Sequence, residues 1–118
     1  MSQEAIATLE EAISTGEATG ERWYAAELWR HKGSLYEKTA SQADEAEGAY
    51  RKAISIAQNQ GSLCFELRSS MNLAKHWRDR GKPAEARDLL ARVYNLFREG
   101  FHTPDLKQAK KLLRTLAS

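Results

Sequence analysis

The sequence predicts a single all-α domain of about six helices, and three observations support that prediction. Apolar residues recur at helical three- and four-residue spacing along most of the chain. Ala, Leu, Glu, Lys and Arg are abundant, β-branched residues are scarce, and only two prolines occur among 118 residues. Glycines or capping residues separate the periodic stretches, and no alternating pattern typical of a strand is present. The short connections predict that neighbouring helices pack antiparallel.

The first three helices are expected at about residues 2–14, 20–38 and 41–60. Their apolar stripes are Ala5, Ile6, Leu9, Ala12 and Ile13 in the first, Trp23, Tyr24, Leu28, Trp29, Leu35 and Tyr36 in the second, and Ala46, Tyr50, Ala53, Ile54 and Ile56 in the third. Gly16 follows the first helix and Gly61 follows the third. The third is expected to begin near Ser41, whose hydroxyl is suited to accept a bond from an unpaired backbone N–H.

The last three helices are expected at about residues 62–80, 83–100 and 103–117. Their apolar stripes are Phe65, Leu67, Met71, Leu73, Ala74 and Trp77, then Ala86, Leu89, Leu90, Val93, Leu96 and Phe97, and finally Leu106, Ala109, Leu113 and Leu116. Gly81 closes the fourth helix, and Pro83 suits the first turn of the fifth. Gly100 is expected to end the fifth helix, and the sixth follows Thr103 and Pro104.

Two patterns recur along the chain about 41 residues apart. The spacing Ala5, Leu9, Ala12 returns as Ala46, Tyr50, Ala53 and again as Ala86, Leu90, Val93. The spacing Trp29, Lys32, Gly33, Tyr36 returns as Ser70, Leu73, Ala74, Trp77. Recurrence at a fixed period is typical of helical repeat proteins, in which each hairpin buries its apolar face against the next hairpin.

These patterns resemble the tetratricopeptide repeat, in which small residues on helices A and B let the two helices approach closely. The positions that match the repeat signature are Trp29, Gly33, Tyr36, Ala46, Tyr50, Ala53, Ala74, Trp77, Ala86 and Leu90. The resemblance implies a short right-handed solenoid in one domain, 1–118, with an orphan helix B at 1–16, repeats at 20–60 and 61–100, and a capping helix at 103–117. The period of 40–41 residues exceeds the usual 34, and Lys32 and Ser70 stand where leucine and tryptophan are usual.

A narrower resemblance rests on the paired tryptophans of GERWYAAELWRHKGSLY, on the turn WRDRGKPAEARDLL and on the segment FREGF. These stretches are similar to the tetratricopeptide region at the C-terminus of bacterial signalling proteins that combine a class III adenylate or guanylate cyclase domain with an ATPase domain. The resemblance implies a stand-alone or truncated relative of that adenylate cyclase-like tail.

Motifs that would indicate catalysis or a cofactor are missing from the sequence. Gly81 and Lys82 are followed by Pro83, which does not fit a phosphate-binding loop. The metalloprotease, nucleophile-elbow and paired-cysteine motifs do not occur. The histidines, His31, His76 and His102, share no ligand spacing and are expected on the surface or in a groove. Cys64 is expected to be a half-buried packing thiol. We therefore expect a protein that is not an enzyme and holds no metal and no cofactor.

Charge and composition limit the partners and the compartment. The net charge of +2 is too balanced to predict nucleic-acid binding. The N-terminal segment carries three glutamates and no basic region typical of a signal peptide, and no apolar run is long enough to span a bilayer. A single cysteine fits a reducing compartment. The sequence therefore predicts a soluble cytoplasmic protein with neither a nucleic-acid nor a membrane partner.

The resemblance also implies a binding groove, because A helices line the concave face of such solenoids. The residues that this register places in the groove with suitable polar chemistry are Arg30, Ser34, Arg68, Asn72 and Lys75. Some tetratricopeptide domains hold a peptide carboxylate with such side chains, and arginine suits bidentate carboxylate recognition. A solvated polar face is the alternative. The basic cluster Lys107, Lys110, Lys111 and Arg114 is expected to be the solvated face of the last helix.

We expect a non-catalytic protein–protein interaction module, a scaffold or adaptor that binds a protein or peptide. One alternative is a regulatory fragment that works only with a cyclase or ATPase partner chain. Another is a self-associating helical bundle without a groove ligand. The first helix lacks a preceding helix A, so its apolar residues Ile6, Leu9 and Ile13 are expected to support a homodimer.

Overall fold

The structure, a computed structural model, describes residues 25–117 of the chain. This part contains five α-helices and one short 3-10 turn, and no strand occurs within it. The helices are α1 (Ala25–Glu37), α2 (Ala43–Gln60), α3 (Leu63–Asp79), α4 (Pro83–Tyr94) and α5 (Pro104–Ala117), and the 3-10 turn (Ala40–Gln42) precedes α2. The all-α prediction is confirmed over the described residues. The predicted helix at 2–14 lies outside them.

Local capping explains the tight hairpin between α2 and α3. Gly61 adopts a left-handed conformation with φ of 70°, and its N–H donates to the last carbonyls of α2. A side chain at this φ would be strained, which is why glycine ends the helix here. The hydroxyl of Ser62 then accepts a bond from the Phe65 N–H at 3.3 Å and caps the start of α3. Only two residues therefore separate the helices.

Two predicted helix boundaries were wrong. Ser41 does not cap α2, because it lies inside the 3-10 turn, and the N-cap residue Gln42 makes no side-chain capping bond. Helix α4 ends at Tyr94 and does not continue to Gly100. After α4 the N–H of Leu96 donates to the Val93 carbonyl and the N–H of Phe97 donates to the Tyr94 carbonyl. This tight turn brings Phe97 onto the core, while Leu96 stays 49% exposed. The turn lets α5 fold back against α3 and α4.

The apolar core lies on both sides of α3. One cluster joins α3, α4 and α5 and consists of Leu67, Met71, Ala74, Ala86, Leu90, Val93, Leu106, Ala109, Leu112 and Leu116. A second, smaller cluster joins α2 and α3 and consists of Ala46, Tyr50 and Leu73, with Tyr36, Ile54, Trp77 and Leu89 packed against it. Each Å² of apolar surface that these clusters remove from water stabilises the fold by about 25 cal/mol. Helix α3 is therefore the central element of the described part.

Small residues stand where helices approach most closely. Ala46, Ala53, Ala74 and Ala86 are fully buried. At Gly33 of α1, a Cβ atom would lie 2.6 Å from Cε1 of Tyr50 on α2. The absence of a side chain at Gly33 thus lets the Tyr50 ring lie directly on the backbone of α1.

Lys32 occupies an interior position of α1 despite its charge. It is only 8% exposed, and its Nζ lies 4.4 Å from the centroid of the Trp29 ring and 5.6 Å from that of Tyr36. A lysine can bury its aliphatic stem and keep its ammonium group over aromatic faces. This arrangement explains how lysine is accommodated where the repeat signature has leucine.

The direction of each helix follows from its cross-helix partners. Glu27 of α1 pairs with Arg68 of α3, and further along Glu37 approaches His76 at 3.8 Å. Because the residue numbers of the partners increase in the same direction along both helices, α1 and α3 are parallel. Between α2 and α3 the partner numbers run in opposite directions, since Glu47 pairs with Trp77 and Gln58 with Glu66.

Each described helix packs against its sequence neighbour, and α3 also contacts α1 and α5. Helices α1, α3 and α5 therefore lie side by side, with α3 in the middle.

Candidate functional site

An open cleft of about 320 Å³ runs across α1, α3 and α5. Its lining residues are Arg30 from α1, then Arg68, Met71, Asn72 and Lys75 from α3, and Asp105 and Gln108 from α5. The α3 residues follow three- and four-residue spacing, which puts them on one face of the helix. Four of the five side chains that the sequence assigns to a groove thus line one cleft, and the fifth, Ser34, hydrogen-bonds to Asn72 at 3.4 Å.

The two arginines of the cleft are held by carboxylates of the same chain. Oε2 of Glu27 lies 2.7 Å from Nε of Arg30, and Oε1 of Glu27 lies 2.9 Å from Nη1 of Arg68. The Nε of Arg68 lies 3.0 Å from Oδ2 of Asp105. Glu27, Arg68 and Asp105 belong to α1, α3 and α5, so this row of charges joins three helices.

Burial and charge act against each other at Glu27, whose side chain is 18% exposed. Burial raises the pKa of the carboxyl, but hydrogen bonds and positive charge from Arg30 and Arg68 outweigh it and leave the pKa below its usual value. The hydrogen bond of Arg68 to Glu27, followed by its hydrogen bond to Asp105, raises the pKa of the Arg68 guanidinium. Two residues of the predicted groove, Arg30 and Arg68, are thus already paired with this chain's own carboxylates.

A chain of polar contacts continues from the arginine end to the interior. Nη1 of Arg30 donates to Oδ1 of Asn72 at 3.4 Å, Nδ2 of Asn72 donates to Oγ of Ser34, and that oxygen lies 3.3 Å from the Tyr50 hydroxyl. Burial, followed by a hydrogen bond to Glu37, raises the pKa of the Tyr50 phenol. The phenol is therefore a neutral hydrogen-bonding group that helps to fix the orientation of Ser34 and Asn72.

His76 and Cys64 do not lie where the sequence placed them. The expectation that His76 is a surface or groove residue was wrong, because it is 6% exposed and its Nε2 lies 3.1 Å from the Ala43 carbonyl oxygen. It faces α2 and not the cleft. Cys64 lies in the first turn of α3 and is exposed, not half-buried.

A separate, largely apolar pocket of about 370 Å³ lies beside Cys64, between the start of α3 and the 95–103 connection. Its apolar lining includes Leu63, Leu96, Phe97 and Leu106. Arg98, Glu99 and Thr103 also line this pocket, and Arg98 and Glu99 are exposed. Over residues 25–117, no group of three or more His, Cys, Asp or Glu side chains is placed to hold a metal ion.

Sequence reasoning did not identify Glu27 and Asp105 as partners of the arginines, and of these two carboxylates only Asp105 lines the cleft. The Glu27–Arg30 pair had a signal, since opposite charges three residues apart meet on a helix surface. Asp105 had none, because its distance to Arg68 depends on how α5 packs against α3. The self-association residues Ile6, Leu9 and Ile13 lie outside the described residues.

No protein-family model, no curated protein and no solved structure matches the chain. Among the described helices, none is both long enough and apolar enough to span a membrane.

Proposed function

We propose that this chain is a non-catalytic interaction module that holds an extended segment of a partner protein in the cleft across α1, α3 and α5. The observation that carries the proposal is the convergence of Arg30, Asn72, Lys75 and Gln108, from three helices, on one open cleft. Amide and cationic side chains in a concave surface suit a peptide, because they can pair with its backbone carbonyls and acidic groups.

The proposal includes a tetratricopeptide-like architecture, a short solenoid with α1 and α3 as A helices and α2 and α4 as B helices. Its support is the 41-residue recurrence of the sequence pattern, the complete burial of Ala46, Ala74 and Ala86, and the parallel course of α1 and α3. In such an array the A helices form a continuous concave surface. The link to the tail of cyclase–ATPase signalling proteins rests on sequence resemblance.

The internal ion pairs have a direct consequence for the binding mode. A partner carboxylate at Arg30 or Arg68 would meet a guanidinium whose charge is already offset by Glu27 or Asp105, which weakens its attraction for a second carboxylate. Reversing the charge of these arginines would also loosen the packing of three helices. They are therefore poor targets for testing the cleft, whereas exposed Gln108 has no such structural role.

A selection with displayed peptides tests the proposal. Random 12-residue peptides are selected for binding to the wild-type chain and then measured against Gln108→Trp, which fills the cleft. Asn59→Trp is the matched control, since Asn59 is also an exposed amide on a helix but lies on α2 and does not line the cleft. Circular dichroism checks that both variants fold.

Selected peptides should lose at least tenfold in affinity for Gln108→Trp and keep their affinity for Asn59→Trp. If no peptide is enriched, or if enriched peptides bind both variants equally, the cleft is not the binding site and the proposal fails.

A further inference from the structure

A second, smaller pocket of about 220 Å³ continues the cleft along α3 and α5. Its lining residues are Lys75, Arg78, Gln108, Lys111, Leu112 and Thr115. Lys75 and Gln108 also line the cleft, so the two depressions share one wall. We call this region the lysine pocket.

The lysine pocket has three positive side chains and no carboxylate in its lining. Within residues 25–117, Lys75 and Lys111 form neither an ion pair nor a side-chain hydrogen bond. Arg78 pairs with its exposed neighbour Asp79 at 3.1 Å, a contact that solvent screens. At the opposite end of the cleft, Glu27 and Asp105 offset the charges of Arg30 and Arg68. The cleft and the lysine pocket together thus form a surface whose charges are offset at the arginine end and remain positive at the lysine end.

We propose that the partner segment is an acidic peptide and that the lysine pocket holds its carboxylates, while the arginine end meets uncharged residues. This inference rests on the proposed function and specifies its ligand. Among the described residues the lysines have no internal carboxylate partner, whereas Glu27 and Asp105 already offset the charges of the arginines, so the stronger attraction for an incoming carboxylate lies at the lysine pocket. Leu112, which is 6% exposed, forms the apolar part of the pocket wall.

The charge pattern favours a peptide over a single-stranded nucleic acid. A nucleic acid carries a negative charge at every phosphate, so a strand that followed the cleft would meet Glu27 and Asp105 at the arginine end. A peptide can place acidic residues only where the lysines lie. Asn72 and Gln108, which both line the cleft, offer amide groups that match a peptide backbone.

Fluorescence anisotropy with the full chain tests this inference directly. The probe is fluorescein-labelled hexaglutamate with an amidated C-terminus, and hexaglutamine and a single-stranded oligouridylate serve as comparison probes. The test variant is Lys75→Ala/Lys111→Ala. The control is Lys52→Ala/Lys110→Ala, which removes the same charge from exposed positions on α2 and α5 that line neither depression.

Hexaglutamate should bind more tightly than the other two probes. Loss of two ion pairs should weaken its binding about tenfold in the test variant, against less than twofold in the control. Absence of hexaglutamate binding, equal losses in both double variants, or tighter binding of oligouridylate would each overturn the inference.

The two proposals fail in different ways. If displayed peptides bind the cleft and are blocked by Gln108→Trp, but bind Lys75→Ala/Lys111→Ala normally, the interaction module stands and the acidic ligand is refuted. If hexaglutamate binds through the lysines while Gln108→Trp has no effect on any peptide, the lysine pocket binds anions and the peptide cleft is refuted.

Discussion

Replacing Gly33 with alanine should destabilise the protein, although alanine is the better helix former. In an exposed helix interior the exchange gains about 1 kcal/mol. At Gly33, however, the new Cβ would lie 2.6 Å from Cε1 and 2.7 Å from Cδ1 of Tyr50. The Tyr50 ring is fully buried and its hydroxyl contacts Ser34, so it cannot swing aside freely. Overpacking of this kind costs about 1–3 kcal/mol, so after the gain in helix propensity we expect a net loss of up to about 2 kcal/mol.

Gly48 offers a matched control in the adjacent helix. It lies in the interior of α2, it is exposed, and a Cβ there would meet nothing within 4 Å. Gly48→Ala should therefore stabilise the protein by about 1 kcal/mol. The free energies of unfolding of the two variants should differ by about 1–3 kcal/mol, with Gly48→Ala the more stable of the two.

Urea unfolding followed by circular dichroism at 222 nm measures both variants. A Gly33→Ala/Tyr50→Leu double variant adds a direct check, because removing the ring should make the alanine at position 33 less costly than it is alone. If Gly33→Ala stabilises the protein as much as Gly48→Ala does, Gly33 does not serve the contact with Tyr50, and our account of this helix pair is wrong.

Two further predictions concern charge and capping. Because the folded-state pKa of Glu27 lies below its usual value of 4.5, its ion pairs contribute stability above about pH 4.5, and this contribution is lost as the pH falls through the folded-state pKa. In urea titrations, Glu27→Gln should lose less stability than wild type between pH 5 and pH 3, and an equal loss would contradict the role of Glu27. Ser62→Ala should cost about 1 kcal/mol because it removes the cap on the Phe65 N–H, whereas Ser41→Ala should stay within about 0.5 kcal/mol. Equal effects of the two serine variants on thermal unfolding would show that the Ser62 cap contributes little.

The sequence supported reliable statements where a local rule governs the structure. Gly61 and Ser62 mark a helix end and a helix start, because a left-handed residue and a capping hydroxyl are both local requirements. The end of α4 was harder to predict. No helix breaker occurs between Tyr94 and Gly100, and the helix ends early because Phe97 reaches the core from a turn. Such an end depends on tertiary packing and is not encoded in a short window of sequence.

Predictions about individual side chains failed where the rotation of α3 decides the outcome. His76 directly precedes Trp77 of the apolar stripe, so a small rotation of the helix decides whether it faces α2 or solvent. Its contact with the Ala43 carbonyl shows that it faces α2. Cys64 lies in the first turn of the same helix and is exposed. Helical spacing identifies an apolar stripe but leaves residues at its edges undetermined.

A residue can lie in the cleft and still have its charge taken up by a neighbouring side chain of the same protein. Spacing alone places Arg30, Arg68 and Lys75 on one surface. Arginine presents several donors in a rigid plane, which suits it to bridge carboxylates on neighbouring helices, and Arg68 does so between Glu27 and Asp105. Lysine presents a flexible point charge, and Lys75 stays unpaired among the described residues. The chemistry that makes arginine attractive for ligand recognition is used here to hold α1, α3 and α5 together, which leaves Lys75 as a cation of the cleft without an internal carboxylate partner in the described part of the chain.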